Sequence, residues 1–409
     1  MTRLATLILA GGRGKRMDIL CQWRPKPVLP FGGKYRVIDF GLNNCIHSAI
    51  QSIGILVDYR RDEITEYSRR WLQANNNIGD ITILQPKTGS FSGTADAVYK
   101  NLNYLDNLDV EAVLILAGDH IYNMDYRKMY EVHKNSKADA TVGIVRVPLD
   151  QASRFGTVEI DAEKRIHKFV EKSPEPCSNY ASMGIYIFNK TMLKERLAED
   201  AAKTNSPHDF GYSILPAMVE RQDRVFGYEY SGYWRDIGTM EAYYQANQEL
   251  LERDSRINRE TNWMIKSGDD AKQSYNLGEH GSVMNSIVSP GCIINGHVEN
   301  SILSPGVQVD ERTEIYDSII MAETRIGYHS VVRKCIIDEG VEVGKFCYVG
   351  FGGGTDGNNQ EITLLGRNVE VPPNTAVGRK VKIMPNVGPI ELASHLVPSG
   401  STVFCLEPG

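Results

Sequence analysis

From about Gly281 onward, aliphatic side chains return at six-residue steps: Ile320, Ile326 and Val332; then Ile337, Val343 and Val349; then Leu365, Val371, Val377 and Ile383. Glycines and asparagines fall between them, and no helical period is present. The pattern fits short straight segments joined by tight corners, each segment turning an aliphatic side chain inward. One such coil cannot bury its own inward row, so coils must stack, and stacking supplies the core of a parallel β-helix. The run Gly350-Phe351-Gly352-Gly353-Gly354-Thr355-Asp356-Gly357 interrupts the steps. It is expected to be a loop thrown out of the stack, not a second phosphate loop.

The rest of the chain has a different texture. At 409 residues the sequence exceeds the size at which a single hydrophobic core usually keeps growing, so two domains are expected. Residues 1–255 alternate short β-rich runs with amphipathic stretches. Strands are expected at Leu4–Ala10, Ile53–Asp58, Ile81–Gln85, Ala112–Ala117, Ala140–Val147 and Ala181–Phe188. Helices are expected near Asp39–Gln51, Ile64–Gln73, Ala95–Leu105, Tyr126–Asn135, Tyr212–Glu220 and Met240–Glu252. That alternation predicts an α/β domain with a largely parallel sheet covered on both faces. Residues 256–280 are polar and weakly patterned and read as a linker to the repeats at 281–409.

The formal net charge of −6, with 42% hydrophobic and 23% charged residues, implies no broad basic surface for nucleic acid or membrane. A small anionic substrate needs only a local basic cluster, and the stretch Arg13 to Arg36 supplies one. The seven cysteines form no CxxC pair and no metal-ligand spacing, which reads as scattered reduced thiols. No apolar run approaches the ~20 residues of a membrane span. Leu4 to Ala10 is only a strand long and does not resemble a signal peptide, so a cytoplasmic protein is expected.

Ligands of open α/β sheets bind beyond the carboxyl ends of the strands, and two motifs fall there. The first is Leu7 to Pro30, LILAGGRGKRMDILCQWRPKPVLP. A buried strand that stops at Gly11-Gly12-Arg13-Gly14-Lys15-Arg16 can aim backbone N–H groups and cations at a polyphosphate. It has neither the Walker spacing nor the GxGxxG dinucleotide spacing. The second is Gly118-Asp119-His120 after the strand Val113–Leu116, where one carboxylate is well placed for Mg²⁺, which takes few protein ligands.

GGxGxR followed by KP resembles the signature of sugar-1-phosphate nucleotidylyltransferases. The continuation Phe31-Gly32-Gly33-Lys34-Tyr35-Arg36-Val37-Ile38-Asp39-Phe40, then Asn44-Cys45, resembles the glucose-1-phosphate adenylyltransferase family. The resemblance covers nearly the whole chain. It implies a Rossmann-like nucleotidyltransferase domain with a mainly parallel sheet, followed by a left-handed parallel β-helix. It also implies transfer of the adenylyl group of ATP to glucose 1-phosphate, with Mg²⁺ as cofactor and a homotetramer as the assembly.

The same resemblance implies residue roles. Gly11, Gly12 and Gly14 would cradle the nucleotide, with Arg16 and Lys26 on its phosphates, and Asp119 and Asp236 would carry the metal. Gln85, Gly93 and Thr94 would form the base side. Gly156, Glu171, Lys172, Ser182, Tyr186, Asp209, Phe210 and Trp234 would form the sugar-phosphate side, with Phe210 and Trp234 as walls. The family's FxEKP reads Phe169-Val170-Glu171-Lys172-Ser173-Pro174 here, a departure that could shift the turn. Arg24 and Arg36 are effector candidates. Trp23 replaces a lysine found in some members, so a bisphosphate activator would lose one anchor. Two rivals stay open: a sister enzyme for another base or sugar, such as a mannose-1-phosphate guanylyltransferase, and a non-catalytic regulatory subunit. A hexapeptide acyltransferase would need a catalytic histidine, for which His297 and His329 are the candidates.

Overall fold

The computed structural model describes residues 3–12, 14–76, 78–252, 263–268, 274–352 and 361–406. The apolar run that opens the chain is the strand Leu4–Leu9, interior to a nine-stranded sheet. Along that sheet the order is Ile166–Glu171, Gly156–Ile160, Tyr180–Asn189, Ala112–Ala117, Leu4–Leu9, Ser52–Leu56 and Asp80–Leu84. Ala140–Arg146 also pairs with Tyr180–Asn189 and carries Val225–Glu229 on its other edge. Seven of the nine strands run one way; Tyr180–Asn189 and Ile166–Glu171 run against them.

The central strands, LATLIL and AVLILA, are apolar almost throughout because both faces are covered. Alternate side chains serve different layers. Leu4, Ile8, Leu114 and Leu116 join one core with Trp71, Tyr126 and Met129. Ala5, Leu7, Val113 and Ile115 join the other with Phe188, Leu193 and Leu215. The expected helix at Ala95–Leu105 is two, Thr94–Tyr99 and Leu102–Asp106; between them Asn101 turns its side-chain amide back to the Ala97 carbonyl. The helix Lys190–Ala201 and the strands Gly156–Ile160 and Val225–Glu229 were not expected. That helix buries only Leu193, Leu197 and Asp200, too few to show as a stripe.

The repeats build three parallel ladders of six, seven and seven short strands. All ten of the six-step aliphatic residues lie in their shared interior. Cross-strand partners such as Val298, Ile315, Val332 and Val349 are 17 residues apart, so one step of each coil is five residues long, as from Val332 to Ile337. The residues between steps turn the corners. Asn285, Asn300, Asp317, Gly291, Gly306 and Gly340 all take positive φ, a conformation asparagine and glycine tolerate best. The next partner of Val349 is Val377, 28 residues on, so the expected excursion does leave the ladder here. Gly350 and Phe351 still belong to the strand Tyr348–Phe351, and residues 353–360 lie outside the described residues.

From Ile302 to Leu365 the third ladder is apolar on both sides. Leu303, Ile320, Ile337 and Leu365 point into the coil. Their neighbours Ile302, Ile319, Ile336 and Leu364 point out, into a core shared with Met17, Leu20, Phe31, Phe40, Ile121, Ile237 and Tyr243 of the first domain. Beside this seam Arg24, 4% exposed, lies 2.7 Å from Asp338 and 3.1 Å from Glu339. Arg36 lies 3.3 Å from the other oxygen of Glu339. The described part of the linker is tied down: Trp263 donates its indole N–H to Asn44, and the Lys266 N–H bonds Asn43.

Breaking the buried pair from one side should cost far more than replacing both partners. Arg24→Met leaves the Asp338 carboxylate buried and unpaired, an expected loss of about 3–5 kcal/mol. Arg24→Met/Asp338→Leu should recover most of it. Midpoints of denaturant unfolding for the two proteins check this.

Candidate active site

A cavity of about 510 Å³ opens at the carboxyl ends of Leu4–Leu9, Ser52–Leu56 and Ala112–Ala117. Its floor is pinned by two backbone bonds, Ala10 N–H to the Leu56 carbonyl and Gly118 N–H to the Leu9 carbonyl. The glycine loop runs along its rim. A methyl group on Gly12 would meet nothing within 4 Å, whereas Gly14 has φ +60 and a methyl there would touch Cys21 Sγ at 3.0 Å. Gly12 thus leaves its peptide open to a ligand, and Gly14 is needed for the turn. Arg13 lies outside the described residues.

Two chain segments bring the charges together. Pro25-Lys26-Pro27 folds into a tight turn that buries the Lys26 stem. The strands His120–Tyr122 and Trp234–Asp236 pair antiparallel with Asp236 opposite His120. Lys26 Nζ lies 2.8 Å from Asp119 Oδ2 and 3.7 Å from Asp236 Oδ1. His120 Nε2 lies 3.5 Å from Asp119 and 3.8 Å from Asp236. Burial works to raise the Asp119 carboxyl, but Lys26, then His120 and Arg16, outweigh it and hold it well below the usual carboxylate range. The Arg16 guanidinium points the same way: a methyl group on Gly238 would meet Arg16 Nη2 at 3.2 Å.

Asp119, His120 and Asp236 each offer one ligand atom, all within 4.8 Å of one another. Two carboxylate oxygens with room for phosphate and water suit a hard divalent cation such as Mg²⁺. His120 was not among the expected ligands. Its Nδ1 is buried with no hydrogen-bond partner, and its ring stands edge-on to Trp234 with centroids 5.3 Å apart.

Of the residues expected on the sugar-phosphate side, Asp209 lines this cavity. Glu171 is cradled by two glycines: a methyl group on Gly156 would lie 2.3 Å from its carboxylate and one on Gly211 2.5 Å. Burial pushes the Glu171 carboxyl up, against the pull of Lys172. Lys172, despite the Ser173 departure, projects from a backbone with φ +45 and lies 3.2 Å from Glu171, about half exposed. Ser182 donates to the Tyr186 hydroxyl at 3.4 Å, next to a bulge at Gly184, φ +66. Asp209 caps the Gly211 and Tyr212 N–H groups and accepts the Thr94 hydroxyl at 2.8 Å.

Some expected positions are elsewhere. Phe210 is 1% exposed and packs against Tyr186 and Phe188. Trp234 packs against Phe155 and lines a separate cavity with Tyr233 and Arg235. Gln85 is exposed and accepts from Arg61, whereas Phe91, Gly93, Thr94 and Ala97 line the cavity. Arg24 is committed to the domain seam, while Arg36 lines a separate cavity of about 360 Å³ with Lys34, Arg70 and Glu339. Trp23 has Arg60 over its ring at 5.2 Å. Asp58, Phe91 and Gly238, which line the main cavity, were missed. Asp58 follows the end of Ser52–Leu56, Phe91 lies in the loop before Thr94–Tyr99, and Gly238 follows the ribbon strand Trp234–Asp236.

Residues 5–253 match the model of the nucleotidyl transferase family, and residues 270–369 match a GlmU-like, C-terminal hexapeptide model. A glucose-1-phosphate adenylyltransferase of Acetivibrio thermocellus is 39% identical, covering 98% of this chain and 97% of that protein. One of Thermomicrobium roseum is 41% identical over 98% of each. One of Clostridium botulinum is 42% identical over 78% of this chain and 84% of its own. The chain belongs to the glucose-1-phosphate adenylyltransferase family. The expected family and two-part architecture hold. Gly11, Gly12, Gly14 and Arg16 of one of the family's loop motifs and Asp119 of the other line the cavity.

Two glycines of this adenylyltransferase fold should behave oppositely. A methyl group on Gly93 would stand 2.3 Å from the His208 carbonyl oxygen, a backbone atom that cannot step aside. Gly93→Ala should therefore cost about 1–3 kcal/mol, the scale of overpacking. Gly12→Ala should stay within about 0.5 kcal/mol of the parent protein. Thermal unfolding of both variants tests the placement.

Proposed function

We propose that this protein transfers the adenylyl group of ATP to α-D-glucose 1-phosphate, giving ADP-glucose and pyrophosphate, and so supplies the glucosyl donor for glycogen-type α-glucan. The observation that carries the reading is the convergence of Lys26, Asp119 and Asp236 within 4 Å at the end of the glycine-loop strand, in a chain about 40% identical to such enzymes along its length. A phosphate oxygen of glucose 1-phosphate attacks the α-phosphorus of ATP, the new P–O bond forms in line, and the bond to the β-phosphate oxygen breaks. No protein nucleophile is required, so positioning and charge neutralisation do the catalysis.

The chain's residues divide that work. Gly11 and Gly12 allow the triphosphate to approach the backbone, and Arg16 and Lys26 neutralise it. Lys172 holds the sugar phosphate as a point charge, and Glu171, Ser182 and Trp234 shape the hexose side. Asp119 and Asp236 would hold Mg²⁺, which when bound adds positive charge at the phosphates. A regulatory subunit without catalysis is disfavoured because Arg16, Lys26, Asp119, Lys172 and Asp236 are all present. The acyltransferase reading is disfavoured as well. His297 is tied to Ser282 and Glu299, and His329 sits at a positive-φ corner among Tyr328 and Phe346.

We further propose a homotetramer. Exposed apolar side chains on the repeats, including Phe346, Tyr348, Phe351, Ile390 and Phe404, support burial between subunits. No helix among the described residues is long and apolar enough to cross a membrane, and we place the enzyme in the cytoplasm. Light scattering at working concentration should give four times the chain mass; a stable monomer refutes the assembly.

Pyrophosphate release with glucose 1-phosphate should be fastest with ATP among ATP, GTP, UTP, CTP and dTTP; a clearly higher kcat/KM for GTP or dTTP overturns the base assignment. Asp119→Asn should lose at least ~10²-fold in kcat with the fold intact. Lys172→Ala should raise KM for glucose 1-phosphate about tenfold to a hundredfold, the worth of a charge-assisted contact, with little change for ATP.

A further inference from the structure

Lys26 lines the cavity, but its ammonium is already engaged. It reaches into the gap between the two carboxylates assigned above to the metal, bonded to Asp119 at 2.8 Å and 3.7 Å from Asp236. The residue is 5% exposed, and the flanking prolines Pro25 and Pro27 fix the backbone that carries it. The head therefore lies where the stem leads it, against the same oxygens a divalent cation would use. Arg16 adds a second positive charge that reaches Asp119 without an ion pair to it among the described residues. Two carboxylates already neutralised by a bonded ammonium and a nearby guanidinium have little attraction left for a divalent ion. A triphosphate changes that balance, because it offers Lys26 strong new acceptors.

We infer that Lys26 is a resident counter-ion of the Asp119–Asp236 pair, which keeps divalent metal weakly bound until a polyphosphate draws its ammonium away. The inference rests on the metal role proposed for the two aspartates. It makes metal and triphosphate binding mutually reinforcing, since each favours the arrangement in which the ammonium has left the carboxylates, and such coupling is reciprocal. It also gives Lys26 a second task in the protein without ligands: holding two like charges at one place, so that the pair is already assembled when substrate arrives.

Mn²⁺ binding, read from the loss of its free electron-paramagnetic-resonance signal, tests this without turnover. In the absence of nucleotide, Lys26→Met should bind Mn²⁺ at least ~10-fold more tightly than the parent protein, within the range of ordinary coupling. Lys26→Met/Asp119→Asn should lose that gain. Arg16→Gln removes a nearby charge but no occupant, and should change the affinity less than about threefold, well short of that coupling. Saturating Mn²⁺ should also raise the melting temperature of Lys26→Met more than that of the parent. Lys26→Gln gives the same readings if the methionine variant does not fold. Equal or weaker Mn²⁺ binding by both Lys26 variants, with parent binding still abolished by Asp119→Asn, overturns the counter-ion role and leaves the metal site standing. An Arg16→Gln gain as large as that of Lys26→Met overturns it too, leaving only a general field. No Asp119-dependent Mn²⁺ binding in any protein, with or without α,β-methylene-ATP, overturns both.

Discussion

The apolar seam between the outward row Ile302, Ile319, Ile336 and Leu364 and the first domain organises more than the domain contact. Among its members are Met17, Ile121 and Ile237. Each is the direct sequence neighbour of a residue at the cavity: Arg16, His120 and Asp236. In extended chain, adjacent side chains point to opposite sides, so burying Ile121 and Ile237 against the seam turns His120 and Asp236 the other way, toward Lys26. The repeat domain is therefore the back wall against which the charged cluster is set. A solenoid ladder suits that duty because its strands are short, straight and stacked at one spacing.

The same geometry explains why the charges at the seam come in pairs. Arg24 lies two residues before Lys26, and its guanidinium takes Asp338 and Glu339 of the repeats. Asp18, two residues after Arg16, meets Lys382. Each of the two cavity cations thus has a charged neighbour anchored on the repeat domain. A buried ion pair contributes little net stability, because desolvation offsets most of the attraction. Its strength is geometric: a bonded guanidinium tolerates little displacement, and so the loop that carries Lys26 has one register against the ladder. The two effector candidates part here: Arg24 is held in the seam, whereas Arg36 also lines the cavity with Lys34 and Arg70.

How much of this was legible beforehand depends on the kind of signal. The six-residue steps are a periodic property of consecutive residues, and every one of them is in the ladder interior. The paired aliphatics Ile302-Leu303, Ile319-Ile320, Ile336-Ile337 and Leu364-Leu365 were equally visible. They contrast with Gln308-Val309, Arg325-Ile326 and Glu342-Val343, whose first residue is exposed. That difference separates a covered ladder face from a solvated one, and it lies in the outward residues, not in the inward six-residue steps. Gly11, Gly12, Gly14, Arg16, Lys26 and Asp119 could be found from a short contiguous motif. Asp58 and Phe91 could not, since only the fold brings them to the cavity. Phe210 and Gln85 show the reverse error, in which a residue near a motif is taken to face the ligand when packing with Tyr186 or a bond from Arg61 has already claimed it.

His120 marks where motif reading stops and physical reading continues. As the third letter of Gly118-Asp119-His120 it looks like an appendage of the aspartate. In the fold it is the opposite number of Asp236 across a two-stranded ribbon, with Gly184 in a left-handed bulge and a methyl there only 3.3 Å from its ring. Any side chain at position 184 would press the imidazole toward the carboxylates. The bulge, the edge-on contact with Trp234 and the ribbon register together leave that ring a single place, beside both acids. The imidazole thus packs between the Trp234 ring on one side and the two carboxylates on the other.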